Sequence, residues 1–234
     1  MSEQAAADPA SGAGASAGTS TAASGRRRSV PLLYSDPETI DCHRVRILLA
    51  EKGIVHETVD VTGGAVPGSL LAFDPAGTLP AMVDRELPLY EVGVITDYLD
   101  ERYPHPPMLP VDPVSRARTR LTLHRIRAEW QALLPERGAP DTRQAARLRT
   151  ALVESSTLFD AMPFFMSDSY SVLDAALLPV LWRASRYGIV TTAVAPRVMV
   201  YAERMFARPA FRTSLSVRER DMGEGGIRNM DRRD

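Results

Sequence analysis

The groups in this 234-residue chain from which covalent, metal or anion chemistry would be built are one thiol, four histidines and a set of arginines. Cys42 is the single cysteine, so no internal disulfide and no cysteine-rich zinc site can form. It is either a nucleophile or a small, partly buried packing residue, and the expectation is packing. His43 and His56 fall on or beside a helical and a strand pattern where solvent-facing histidines are common. With no carboxylate or second histidine at ligand spacing, no metal site is expected. His124 stands among Arg116, Arg118, Arg120, Arg125 and Arg127 on one helical stretch. That stretch is expected to be a solvated or salt-bridged surface, with a dimer or partner contact as the alternative.

The remaining histidine raises a different possibility. His105 lies in RYPHPPMLP, between Pro104 on one side and Pro106 and Pro107 on the other. Each proline locks φ near about −65° and removes a backbone donor, so the run cannot enter a helix or a sheet ladder and is expected to lie extended and exposed. It serves as a rigid joint between domains, or as a preordered ridge that loses little entropy when a partner docks on it. A joint requires proline but not histidine; on a docking ridge His105 is the polar handle.

Composition frames these groups. The chain is 44% hydrophobic and 24% charged, enough for one large core or two modest ones. The formal net charge of −1 implies no bulk attraction to nucleic acid or to an anionic membrane, and no apolar run approaches the roughly 18–20 residues that cross a bilayer. Sequence-specific DNA binding is not expected. One unpaired thiol fits a reducing cytoplasm. Lys52, the lone lysine among 28 basic residues, reads as an imprint of genome base composition. Residues 1–29, rich in Ala, Ser and Gly and closed by RRRS, are expected to be a disordered extension, and 221–234 a flexible tail.

The elements that must position the chemistry follow from periodicity. VPLLYS is a short apolar strand, and DCHRVRILLAEKG places Val45, Leu48 and Leu49 at helical spacing with Gly53 as a stop. HETVDV alternates as a second strand. After a Gly-rich loop come LPAMVD and LPLYE, short enough for a hairpin, then EVGVITDYLDERY with Val94, Ile95, Tyr98 and Leu99 as an apolar face. The order is βαβ, loop, ββα. Beyond Asp112 only helical patterns recur, in RLTLHRIRAEWQALL, RQAARLRTALVESSTLFDAM, SVLDAALLPVLWRASRYG and PRVMVYAERMF. The fold class is therefore α/β plus all-α: an N-terminal domain over 30–103, a proline-rich segment over 104–112 and a helical domain over 113–220. Trp130 and Trp182 sit in apolar helical patterns and are expected in the core.

This order, with particular residues, resembles the glutathione transferase fold, a thioredoxin-like domain joined to a helical one. Leu79-Pro80 at the third strand matches the family's cis-proline, Ser171 to Asp174 its capping box, and Tyr90-Glu91 the place of its Glu/Gln-Ser pair. Within that fold the chain is most similar to the stringent starvation protein A family, on HRVRILLAEKGI, VDREL, YLDERYPHPPMLP, HRI at His124 to Ile126 and LLPVLWR at Leu177 to Arg183. The resemblance implies a vestigial glutathione site. The family's nucleophile position, counted back from Arg46, is Thr39, which can cap a helix but cannot form a mixed disulfide. Pro80 and Glu91 survive, while Val92 replaces the serine whose hydroxyl anchors glutathione; one hydrogen bond to a charged group is worth roughly 1.5–3 kcal/mol. Cys42 falls at the resolving position of a Cys-x-x-Cys motif that lacks its first cysteine.

What the resemblance implies is a non-catalytic transcription regulator without a cofactor. It would be a homodimer that binds RNA polymerase holoenzyme, sigma factor included, and alters promoter use under starvation or acid stress. Pro104, His105, Pro106 and Pro107 would be its partner-binding residues. The alternatives are a glutathione- or thiol-dependent transferase or reductase using Cys42, and a structural scaffold with another partner.

Overall fold

Four short strands and the helices that pack on them keep the order read from the sequence. The computed structural model describes residues 30–63 and 65–222; the expected extension at 1–29 and all but the start of the expected tail lie outside the described residues. The strands β1 (Leu32–Ser35), β2 (Glu57–Asp60), β3 (Ala81–Asp84) and β4 (Leu87–Tyr90) form one sheet in the order β2-β1-β3-β4. β2 runs parallel to β1, which requires the crossover through helix α1 (Ile40–Glu51), whereas β3 and β4 are antiparallel and form the expected hairpin. A one-turn helix α2 (Gly68–Leu71) interrupts the loop before β3, where no helix is legible, and α3 (Val92–Arg102) closes the domain.

Strand alternation divides the core in two. Leu33 and Met82 face α1, α3 and the helical half, in one large cluster with Val45, Leu48, Leu49, Ile95 and Leu99. Leu32, Tyr34 and Ala81 point the other way and pack with Val61 and Leu70 of the β2–β3 connection. The large cluster is continuous with Leu177, Leu181 and Val198 of the helical half, so both halves share one core. The apolar face assigned to α3 is corrected at one position: Val94 is exposed, while Ile95 and Leu99 are buried as expected and Val92 and Thr96 are buried with them.

The helical half consists of α4 (Pro113–Arg125), α5 (Thr142–Glu154), α6 (Val172–Arg186), α7 (Pro196–Phe206) and two short helices, α8 (Pro209–Ser214) and α9 (Val217–Arg220). The pattern RLTLHRIRAEWQALL is not one helix. α4 ends at Arg125, a wider π turn spans Ile126–Trp130, and a 3-10 turn covers Gln131–Leu133. Through that change of pitch Ile126 and Trp130 enter the core while Arg127 and Gln131 face the first domain. Trp130 is buried as expected, stacked on Phe159; Trp182 is half-buried, with its indole N–H donating to the Glu219 carbonyl. The Ser171–Asp174 capping box is present at α6, and the same Asp174 carboxylate also accepts from the Phe165 N–H and the Tyr201 hydroxyl.

α1 runs through the middle of this assembly, covered by α3, α6 and α8, and it is buried on nearly every side from Ile40 to Leu49. The solvent-facing place expected for His43 is therefore wrong. The imidazole is wholly buried against Ser214, Arg46, Arg183 and Glu219. Glu219, on α9, accepts from Arg46 at 2.7 Å and from Arg183 at 3.0 Å, tying the last helix to α1 and α6. Burial and the two arginines push the His43 pKa well below 6.5, so the ring is neutral.

Candidate functional site

The residues singled out from sequence collect at the two ends of α1. At its N-terminus, Thr39 occupies the N-cap position with extended backbone, and its carbonyl accepts the His43 N–H. Its hydroxyl does not cap the helix as expected; Oγ1 is buried with no hydrogen-bond partner. Cys42, one turn on, is wholly buried rather than partly, and its sulfur accepts the Asp36 N–H at 3.2 Å. Burial pushes the thiol above its ordinary value, with the nearby Thr39 hydroxyl, the Asp36 N–H and the Arg46 charge only partly opposing it. A reactive cysteine requires the reverse, an exposed sulfur in a field that favours thiolate.

Above Thr39 lies a cavity of about 500 Å³ between the two halves of the molecule, lined among others by Thr78, Leu79, Arg127 and Gln131. The Leu79–Pro80 bond is cis, as the resemblance implies. The rim is spanned by polar contacts: Arg137 pairs with Asp36, Gln131 donates to Asp41 at 2.9 Å, and Arg127 reaches Asp41 at 3.8 Å. Asp36 and Asp41 thus flank the position where a thiolate would be needed, each already paired with an arginine. Glu91 is exposed and holds φ +71° at the start of α3. Neither Glu91 nor Val92 lines this cavity; Val92 opens on a smaller one between α1, α3 and α4. Thr39 and Leu79, the residue before Pro80, line the same cavity, and the Glu91–Val92 pair does not.

The other end of α1 is built differently. Gly53, with φ +62°, turns the chain out of the helix in a conformation that side-chain-bearing residues rarely adopt. Just before it, Lys52 sends its side chain inward, where it is 1% exposed. Its ammonium donates to the Asp100 carboxylate at 2.9 Å, the Tyr103 carbonyl at 2.7 Å and the Pro106 carbonyl at 2.8 Å. All three donors are used. Asp100 in turn accepts the Met108 N–H at 2.9 Å and the Leu109 N–H at 3.2 Å, and the Met108 carbonyl accepts from Val172 at the start of α6.

The proline run is therefore fastened from behind at both ends, with Met108 and Leu109 as buried anchors. Pro104, His105, Pro106 and Pro107 are all exposed, as their sequence leads one to expect. The His105–Pro106 bond is also cis, which no sequence signal indicated. Reading Lys52 as a trace of base composition is corrected here: the lone lysine is a structural pin. Its sequence signal was present but faint, a cation directly before a helix-stopping glycine, with its acceptors some fifty residues on.

Among the described residues no group of histidine, cysteine or carboxylate side chains is arranged to hold a metal ion, and no helix is long and apolar enough to cross a membrane. His124 and His56 take no part in either end of α1.

Comparison with known proteins agrees with this geometry. Residues 33–107 match the family described as the N-terminal domain of glutathione S-transferases. A glutathione S-transferase from Sinorhizobium meliloti 1021 superposes with a TM-score of 0.71 at 25% identity, covering 83% of this chain and 95% of that one. The stringent starvation protein A homolog of Coxiella burnetii is 38% identical over 203 residues, 85% of this chain and 97% of the relative. That of Pasteurella multocida is 41% identical over 196 residues, 82% of this chain and 92% of the relative. Relatives so named thus match along almost their whole length, and the chain belongs to the stringent starvation protein A family, built on the glutathione transferase fold.

Proposed function

We propose that this protein is a non-catalytic regulator of transcription, working in the cytoplasm as a homodimer. It binds RNA polymerase holoenzyme, sigma factor included, through the ridge Pro104–His105–Pro106–Pro107, and alters promoter use under starvation or acid stress. The observation that carries the reading is the fastening of an exposed proline run by a buried Lys52–Asp100 pair. A buried ion pair costs several kcal/mol of desolvation per ion, a large outlay for a mere joint, and what it secures is the shape of four surface residues. A backbone held in one conformation before a partner arrives has little entropy left to lose.

The opposite end of α1 supports the non-catalytic part. Thr39 offers no thiol, Cys42 is buried with its thiol form favoured, and Val92 provides no hydroxyl. Pairing of two copies is favoured by exposed apolar side chains on the edge strand β4 and on α3 and α4, namely Tyr90, Val94 and Leu121.

Two measurements test the reading. Affinity capture with the tagged protein from starved cells is expected to recover the core polymerase subunits together with a sigma factor. Conjugation of glutathione to chlorodinitrobenzene is expected to be negligible. Robust turnover that disappears in Cys42→Ser would replace the regulator with a thiol-dependent enzyme.

A further inference from the structure

α8 and α9 follow one another along the chain, and different forces hold them. α8 is anchored by Phe211, wholly buried and stacked on Phe206 with ring centres 4.9 Å apart, and by the Arg208–Glu51 pair at its cap. α9 buries no apolar side chain. Val217 is 68% exposed, Arg218 and Arg220 are exposed, and what the helix sends inward is the carboxylate of Glu219. Its ties are polar. The Ser216 hydroxyl donates to the Pro37 carbonyl at 2.6 Å, the Glu219 carbonyl accepts from Trp182 at 2.8 Å, and the Glu219 carboxylate accepts from Arg46 and Arg183. Apolar burial is what ordinarily keeps a short helix in place; here a buried charge does so.

The His43 ring stands against that charge. Its Nδ1 is 3.2 Å from Glu219 Oε1, the oxygen to which Arg183 donates at 3.0 Å, and its Nε2 is 3.3 Å from Ser214 Oγ. The Ser214 hydroxyl donates to the Phe211 carbonyl, so the hydrogen-bond network assigns the proton of the neutral ring to Nε2 and leaves Nδ1 as the site that acid protonates. The groups facing the ring are Arg46 from α1, Arg183 from α6, Ser214 and the Phe211 ring from α8, and Glu219 from α9. The carboxylates of Asp36 and Glu38, in the loop before α1, turn to Arg137 instead. Glu219 thus balances two fixed cations, and a proton on Nδ1 makes a third that competes with Arg183 for the same oxygen.

We infer that α9 is a latch released by acid: a proton taken up by His43 Nδ1 frees Ser216–Met222 from α1 and α6, while α8 stays in place. A cavity of about 540 Å³ is lined by His56, Thr58 and Asp60 and, from the latch, by Ser216, Val217 and Arg218. Release removes the latch's part of that wall and uncovers the β2 edge of the sheet. The sign follows from burial. Burial first, then Arg46 and Arg183, holds the ring well below 6.5 in the closed form, and lifting α9 relieves the burial. The open form therefore binds the proton more tightly, and opening is favoured as the pH falls through the ordinary histidine range, by up to about tenfold per unit. None of these residues belongs to the proline ridge, so the inference does not depend on docking there.

The test is hydrogen exchange of the full chain, read by mass spectrometry from about pH 7.5 to about pH 5.5 and corrected for the intrinsic rate. Protection over 216–222 is expected to fall by up to about tenfold per unit below about pH 6.5, while that of α8 and α6 holds. Trp182, which loses its carbonyl partner on release, gives a second readout: its emission shifts to the red over the same range. His43→Gln carries no titratable ring and is expected to keep 216–222 protected throughout. Glu219→Gln is expected to leave the segment open already at neutral pH, with α8 still protected. Protection over 216–222 that ignores pH, that falls only in step with α6 and α8, or that falls equally in His43→Gln would each overturn the assignment, as would a segment still fully protected at neutral pH in Glu219→Gln.

Discussion

The two ends of helix α1 have opposite economies. At the N-terminal end a hydroxyl is buried without a partner, a thiol is kept in its neutral form, and ion pairs span the mouth of the cavity. At the C-terminal end every donor of a buried ammonium is matched by an acceptor, and the acceptors belong to the very segment left on the surface. Interior polar groups are expensive unless satisfied. The molecule leaves one unsatisfied where a transferase would keep its nucleophile and satisfies all of them where it shapes a proline ridge. On the proposed reading, the satisfied end is the one that recognises a partner, and the unsatisfied end is the one where a transferase does its chemistry.

The largest effect that bears on this contrast is expected from Lys52→Met. It removes the ammonium and leaves Asp100, whose side chain is 10% exposed, without its counter-charge. Loss of one partner of a buried pair costs roughly 3–5 kcal/mol. Denaturant unfolding checks the magnitude, and hydrogen exchange at the Met108 and Leu109 amides should accelerate before the rest of the chain. A loss below about 0.5 kcal/mol, the ordinary range for surface changes, would remove the special standing of this end.

An intermediate effect is expected from pH, through the middle of α1. The His43 pKa in the folded state lies well below 6.5, so on acidification the unfolded chain takes up a proton first. Stability is therefore full above about pH 6.5 and falls as the pH drops below it, by up to about 1.4 kcal/mol per unit. His43→Gln cannot titrate and should flatten that slope in thermal melts between neutral and mildly acidic pH. An unchanged slope would assign the acid sensitivity to other groups.

The smallest effect belongs to the other end. Thr39→Val keeps the methyl group and removes a hydroxyl that has no partner, so the change is expected to lie within about 0.5 kcal/mol. A loss comparable to that of Lys52→Met would erase the contrast between the ends.

Much of the fold was legible because its signals are local. The strands, α1, the β3–β4 hairpin and the Ser171–Asp174 box are all written within a few residues of themselves, whereas the cis Leu79–Pro80 bond was legible only through the family resemblance. The misreadings share another property. Lys52 finds Pro106, and His43 finds Ser214 and Glu219, each across a long stretch of chain. The sequence reading put His43 outside because one helix considered alone has a solvent face. α1 has almost none once α6, α8 and α9 are in place. The exposed ridge was legible because proline constrains its own backbone; the pin behind it was not, because nothing local to Lys52 names its acceptors.

The central claim is that the ridge is a docking surface and not only a joint. Its most direct measurement is binding of purified RNA polymerase holoenzyme by the parent chain and by the triple variant Pro104→Ala, His105→Ala, Pro107→Ala. Oligomeric state and thermal midpoint are followed on the same samples. These side chains are exposed, while the Lys52–Asp100 pair, the Pro106 carbonyl it holds and the buried Met108 and Leu109 are left in place. The triple variant is expected to fold as a dimer, with a stability loss within about 0.5 kcal/mol, and to lose polymerase binding. His105→Ala alone is expected to weaken binding less. A folded triple variant that binds polymerase as the parent does, or one that unfolds or falls to monomers, would contradict the account.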